Sequence, residues 1–136
     1  MLDKALTIFI ERIQSLGIQY HGVIYLEEPP STQIDNSFSV TITRASGDRK
    51  NAADFSILAE ILVEYYVVNY SSDIERMKGA LSNVEAIIRD LCSIDLSDEI
   101  IKSVNFISFD VSYLQGSERV HKIDLLFEVM VKMLIK

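Results

Sequence analysis

From Ala53 to Tyr70 the chain reads ADFSILAEILVEYYVVNY, a run whose two alternating faces differ in kind. The odd positions Ile57, Ala59, Ile61, Val63, Tyr65 and Val67 form an unbroken apolar row. The even positions mix Leu58, Leu62, Tyr66 and Val68 with Glu60 and Glu64. Period-two alternation puts such rows on opposite sides of a β-strand. A strand well beyond the usual ~5–6 residues needs long partners and something to cover its apolar side. The run therefore predicts a sheet with helices on the odd face. The even face suits neither a dry core nor a fully wet surface.

At Ser72 the period changes. Ser72 and Glu75 fit a capping box, in which the serine oxygen and the glutamate carboxylate satisfy free amides of a first helical turn, and Asp73 and Glu75 suit the positive end of the helix dipole. Ile74, Met77, Leu81, Val84, Ile88 and Leu91 supply the expected buried stripe. A second cap at Ser97, in LSDEIIKS, predicts a short following helix.

Upstream, Leu2, Leu6, Phe9, Ile13 and Leu16 recur at helical spacing, with Asp3 as a cap and Gly17 as a stop. GVIYL, at 22–26, reads as a short strand, and EEPPSTQ as a loop, because its prolines cannot donate ladder hydrogen bonds. Phe38, Val40 and Ile42 alternate with Ser39, Thr41 and Thr43, and SGDRKN reads as the turn of a hairpin. A six-residue loop there would set Ile42 opposite Phe55, Val40 opposite Ile57 and Phe38 opposite Ala59.

Downstream, Ile107, Phe109, Val111 and Tyr113 make one face of a strand, continued by Ile123, Leu125, Phe127, Val129, Val131 and Met133 in the next. All are odd positions, so the loop of this second hairpin must contain an odd number of residues. The sum is an α+β fold: one two-layer domain over residues 1–136, a mostly antiparallel sheet with two main helices packed on one face. The other face would carry Thr41, Thr43, Glu60, Glu64, Tyr66, Ser108, Asp110, Ser112, Lys122, Asp124, Glu128 and Lys132, with no third layer from this chain.

The search for chemistry returns little. A net charge of −7 opposes binding to a phosphate backbone, which draws on a basic patch, so no nucleic-acid recognition is expected. No apolar run approaches a bilayer span and the N-terminus does not read as a signal peptide, so no membrane partner is expected and the chain reads as soluble and intracellular. The single cysteine, Cys92, beside Ile88 and Leu91, reads as a buried structural thiol and excludes an internal disulfide. His21 and His121 stand outside any metal-ligand spacing, and no nucleophile elbow or phosphate-binding loop occurs. Asp110 and Asp124 would face one another in one hairpin register, where they could share a proton or a cation. A two-residue shift sets Asp110 against Lys122 instead, an ordinary ion pair, and this is the preferred register. No catalytic residue, metal or cofactor is assigned; the chain reads as a binding subunit, not an enzyme. The candidate contact residues are Arg44, Asp48, Arg49 and Lys50 in the most basic segment, with Glu60, Leu62, Glu64 and Tyr66 on the long strand. A tyrosine suits an interface where one end stays wet.

The order of elements, with LSDEIIKSVNFISFDVSY followed by HKIDLLFEVMVKM, resembles the phage tail terminator family, which includes the minor tail protein U of lambda-like phages, over essentially the whole chain. The resemblance implies a virion structural protein that forms a six-membered ring, caps the tail tube when elongation ends and offers a surface for head joining. It implies partners in other copies of itself, the tail tube protein and a head-completion or connector protein, and a place in the virion tail after assembly in the host cytoplasm. A head-to-tail connector or neck protein is the neighbouring alternative. A small ligand-binding regulatory α+β domain is the more distant one.

Overall fold

The computed structural model describes residues 2–21, 35–49, 55–68, 74–94, 100–113 and 120–133. The elements are α1 (Leu2–Gln14), β1 (Gln19–Tyr20), β2 (Ser37–Arg49), β3 (Phe55–Val68), α2 (Ile74–Cys92), β4 (Ile101–Tyr113) and β5 (Val120–Met133). The strands form one sheet in the order β1-β2-β3-β5-β4, antiparallel except for β1 beside β2. This is the expected α+β domain with two helices. The segments GVIYL and EEPPSTQ, the capping residues Ser72 and Asp73, and Ser97 lie outside the described residues, and Ile101 to Ser103 are already strand.

β3 holds the centre, paired along its whole length with β5 and with β2 on its other side. Its register with β2 differs from the expected one. Val40 meets Val63 and Phe38 meets Tyr65, six residues further along β3 than Ile57 and Ala59 (63 − 57 and 65 − 59). Six is even, so every side chain keeps the face that alternation assigned to it. The strand runs on through Ser46, Gly47, Asp48 and Arg49, expected to turn, because each added residue pairs with β3 as far as Phe55. A bulge between Ile42 and Arg44 shifts the pairing by one residue.

The odd face of β3 is the floor of the core. Ala59, Ile61 and Val63 are fully buried, as are Ile123, Leu125, Phe127 and Val129 of β5. Phe127 is the hub: Phe9 of α1 meets it edge-on at 5.8 Å, and Phe106 of β4 at 5.6 Å. Asp3 sits inside the first turn of α1, and Gly17 ends that segment with φ 87°, where a residue without a Cβ is unstrained. Arg12 Nε donates to Asp90 Oδ2 at 3.1 Å, tying the two helices. The buried stripe of α2 is Ala80, Val84, Ile87 and Leu91; Ile74 and Leu81, expected inside, are exposed. Small Ala80 faces the core because α2 lies close to Tyr65 there, an approach that helical periodicity alone does not specify.

β4 and β5 pair with odd against odd at Phe109/Leu125 and Val111/Ile123, in agreement with the parity argument. A bulge between Phe106 and Ser108 then reverses the rule, so Phe106 and Val104 turn to the core in place of Ile107. Beyond the bulge the helices no longer reach the edge, and Ile107, Phe109 and Val111 are each about half exposed.

Candidate subunit interface

The second face of β3 and β5 is built of alternating rungs. Leu58 lies opposite Met130, Glu60 opposite Glu128, Leu62 opposite Leu126, Glu64 opposite Asp124 and Tyr66 opposite Lys122. The Leu58, Glu60, Leu62 and Glu64 positions are half-buried, as are their β5 partners. Two of the rungs set like charges directly across an antiparallel pair, an arrangement unfavourable in isolation. The structure shows a cation within reach of one of them, the Glu64/Asp124 rung. Arg44, exposed on β2, pairs in register with Glu60, while Lys122 Nζ lies 3.4 Å from Glu64 Oε2 and 3.7 Å from Asp124 Oδ1. Arg44, Ser46, Leu58, Glu60 and Glu128 line a hollow of about 230 Å³.

The C-terminal hairpin takes the register that was not preferred: Asp110 faces Asp124, and Ser112 faces Lys122. The core side decides this, because it sets Phe109 over Leu125 and Val111 over Ile123. Asp124 holds its proton above the usual carboxylate range, first through burial, with Glu64 and Asp110 adding to the shift and Lys122 opposing it. Among the described residues no cluster of histidine, cysteine or carboxylate side chains is arranged to hold a metal ion.

Tyr66 departs from its expected role. Its ring is 1% exposed, and its hydroxyl donates to Glu64 Oε2 at 2.9 Å instead of reaching solvent. Burial pushes its phenol far above the ordinary range. Tyr66, Val68 and Val120 form a small second core, so this end of the supposedly bare face is covered. The end of β3 is also clasped. Asp35 Oδ1 accepts from the Val68 amide at 2.8 Å, and Arg76 of α2 reaches both the Val68 carbonyl and Asp35. On the core side of the same end, the Tyr65 hydroxyl donates to Asn36 Oδ1 at 2.7 Å and accepts from Asn83 Nδ2 at 3.1 Å. Asn36 adopts φ 56°, a left-handed conformation that asparagine tolerates better than most residues. These groups line a second hollow of about 230 Å³, but they bond mainly to one another.

The other candidates are dispersed. Asp48 and Arg49 contribute backbone to β2, opposite Ser56 and Phe55, so they extend a strand and do not form a hairpin tip. Lys50 lies outside the described residues. Leu62, Glu60 and Glu64 do share one surface with Arg44 at its rim. Cys92 is exposed, not buried, because it falls one position past Leu91 on the helix; partial desolvation still raises its thiol pKa. Ile107, Phe109 and Val111, expected on the covered face, are about half exposed, because alternation alone cannot tell a covered face from one the helices fail to reach.

No family model matches the chain, and no curated protein matches it. Among solved structures, its fold is similar to that of a chain from the virion of a native gene transfer agent (GTA) particle. The TM-score is 0.56 at 12% identity, over 90% of this chain and 84% of that chain. At such identity the likeness is one of fold.

Proposed function

We propose that this chain is a structural subunit of a virion, a protein without catalytic activity that forms a homo-oligomeric ring, caps a tail tube, ends its polymerisation and presents a surface for head joining. The fold held in common with a chain of the gene transfer agent virion carries this reading. The open sheet face supports it physically. Leucines at Leu58 and Leu62 alternate with paired carboxylates, which is the composition of a surface meant to be covered by a partner that supplies both apolar contact and positive charge. A head-to-tail contact whose rotation closes produces a ring, and the resemblance in element order makes six copies the expected number. The tail tube protein and a head-completion or connector protein are then its partners, and the virion tail is where it resides after assembly in the host cytoplasm.

Purified protein imaged by negative stain, alone and with tail tube protein, tests this directly. Annular particles, and tubes whose growth stops when the protein is added, are the expected result. Light scattering that gives only monomer over a wide concentration range, even with tube protein present, would defeat the proposal.

A further inference from the structure

The two edges of the sheet differ in a way that suits them to each other. On β4, Phe109 and Val111 are 49% and 50% exposed although they point to the helix side, and exposed Asp110 points to the opposite side. On β2, beyond the bulge, Arg44 shares that opposite side with Glu60, while Ala45 lies on the helix side with Ala59. Residues 43–47 of β2 are all exposed, and no strand pairs with their outer edge among the described residues. A long apolar edge strand left unpaired is a template for another strand.

Strand direction decides which one. β2 and β5 run one way and β3 and β4 the other. A second copy placed beside the first, with the same face up, therefore brings its β2 antiparallel to the first copy's β4. The helix-side residues then meet helix-side residues, and Asp110 and Arg44 fall on the same side. Pairing β4 with another β4 about a two-fold axis at Asp110 would instead set it against its own counterpart, and directly opposed like charges are unfavourable.

β1 sets the offset. In a level arrangement Val111 would lie beside Phe38 of the neighbour, through the rungs Val111/Ile123, Ile123/Tyr65 and Tyr65/Phe38. That edge is occupied: Tyr20 pairs with Phe38, and the His21 amide donates to the Phe38 carbonyl at 2.8 Å. Sliding the neighbour until Arg44 reaches Asp110 moves it from the Glu128 rung to the Asp124 rung, four residues (128 − 124) or ~14 Å along the strands. Phe109 then lies beside Ala45, whose small side chain leaves room for the ring.

We infer that copies of this chain associate head to tail by edge pairing, β4 of one copy adding antiparallel to the Thr43–Gly47 stretch of β2 in the next, with Asp110 opposite Arg44 and Phe109 over Ala45. This names the contact that the proposed ring requires and rests on that reading. Opposed residues in an antiparallel pair have Cα atoms ~4.5–5.5 Å apart, within the span of a disulfide. The test is therefore a Cys92→Ser background carrying Asp110→Cys and Arg44→Cys together, oxidised with copper phenanthroline and run on non-reducing gels. A ladder of trimers and higher species is expected, with no cross-link from either single cysteine. Dimers formed by Asp110→Cys alone would overturn the inference in favour of a two-fold contact. In parallel, Asp110→Arg and Arg44→Asp should each weaken association about tenfold by sedimentation velocity, and the two together should restore it. Rings that form normally while the double cysteine fails to cross-link defeat this contact and leave the proposed function standing. A wild-type protein that stays monomeric beside tail tube protein defeats both.

Discussion

The two faces of the central strand pair are made from neighbouring residues of the same chain, yet they obey different rules. On the helix side, Ile61, Val63, Leu125 and Phe127 are excluded from water entirely, and shape decides which residue fits where. On the other side, Glu60, Leu62 and Glu64 remain half-buried between their β2 and β5 partners, and like charges face one another across β3 and β5. The first face explains why the protein folds. The second is the face that the proposed function gives to other subunits.

If that contrast is right, substitutions should divide by face. Phe127→Ala removes the ring that both Phe9 and Phe106 pack against and should cost about 3–5 kcal/mol in urea unfolding, enough to compromise the fold. Tyr65→Phe keeps the core ring but removes the hydroxyl shared with Asn36 and Asn83; a loss of about 1–2 kcal/mol in the same assay is expected. Leu62→Ala, one residue from fully buried Ile61, should cost the isolated protein under about 1 kcal/mol, since much of its surface is never removed from water. Its effect on assembly, read by light scattering, should be larger than its effect on unfolding. Equal losses at Ile61→Ala and Leu62→Ala would erase the distinction between the faces.

The smallest effect carries the opposite sign. The folded-state pKa of Asp124 lies above its unfolded value, so the folded chain takes up a proton between the two, and the charged carboxylate is a cost to the fold above the raised pKa. That cost is relieved as the pH falls through the raised value. Asp124→Asn should therefore leave the protein as stable or slightly more stable at neutral pH, because Lys122 keeps Glu64 as a partner at 3.4 Å, and the advantage should vanish in mild acid. Urea midpoints at the two conditions check both the sign and its disappearance.

How much of this was legible beforehand depends on what alternation can and cannot encode. The apolar row of β3, the odd parity of the β4/β5 pairing and the two helices follow from local periodicity, and the structure keeps them. The β2/β3 register did not follow, since a six-residue slide leaves the same kinds of residue facing each other. The Asp110/Asp124 pairing escaped for the same reason, one two-residue step from the preferred alternative. Tyr66 was assigned to an open surface because alternation tells which face a residue takes, not whether that face is covered where Tyr66 meets Val68 and Val120.

What the amino-acid order settled alone is which side of each strand and helix prefers to leave water, because that preference is carried by each side chain and repeats with the local backbone period. What only the assembled chain decided is which rungs meet, where the bulges fall, and which apolar residues the helices cover. Those outcomes depend on pairings between distant segments, and a period-two pattern is indifferent to any even slide until packing against Phe9, Phe127 and α2 selects one.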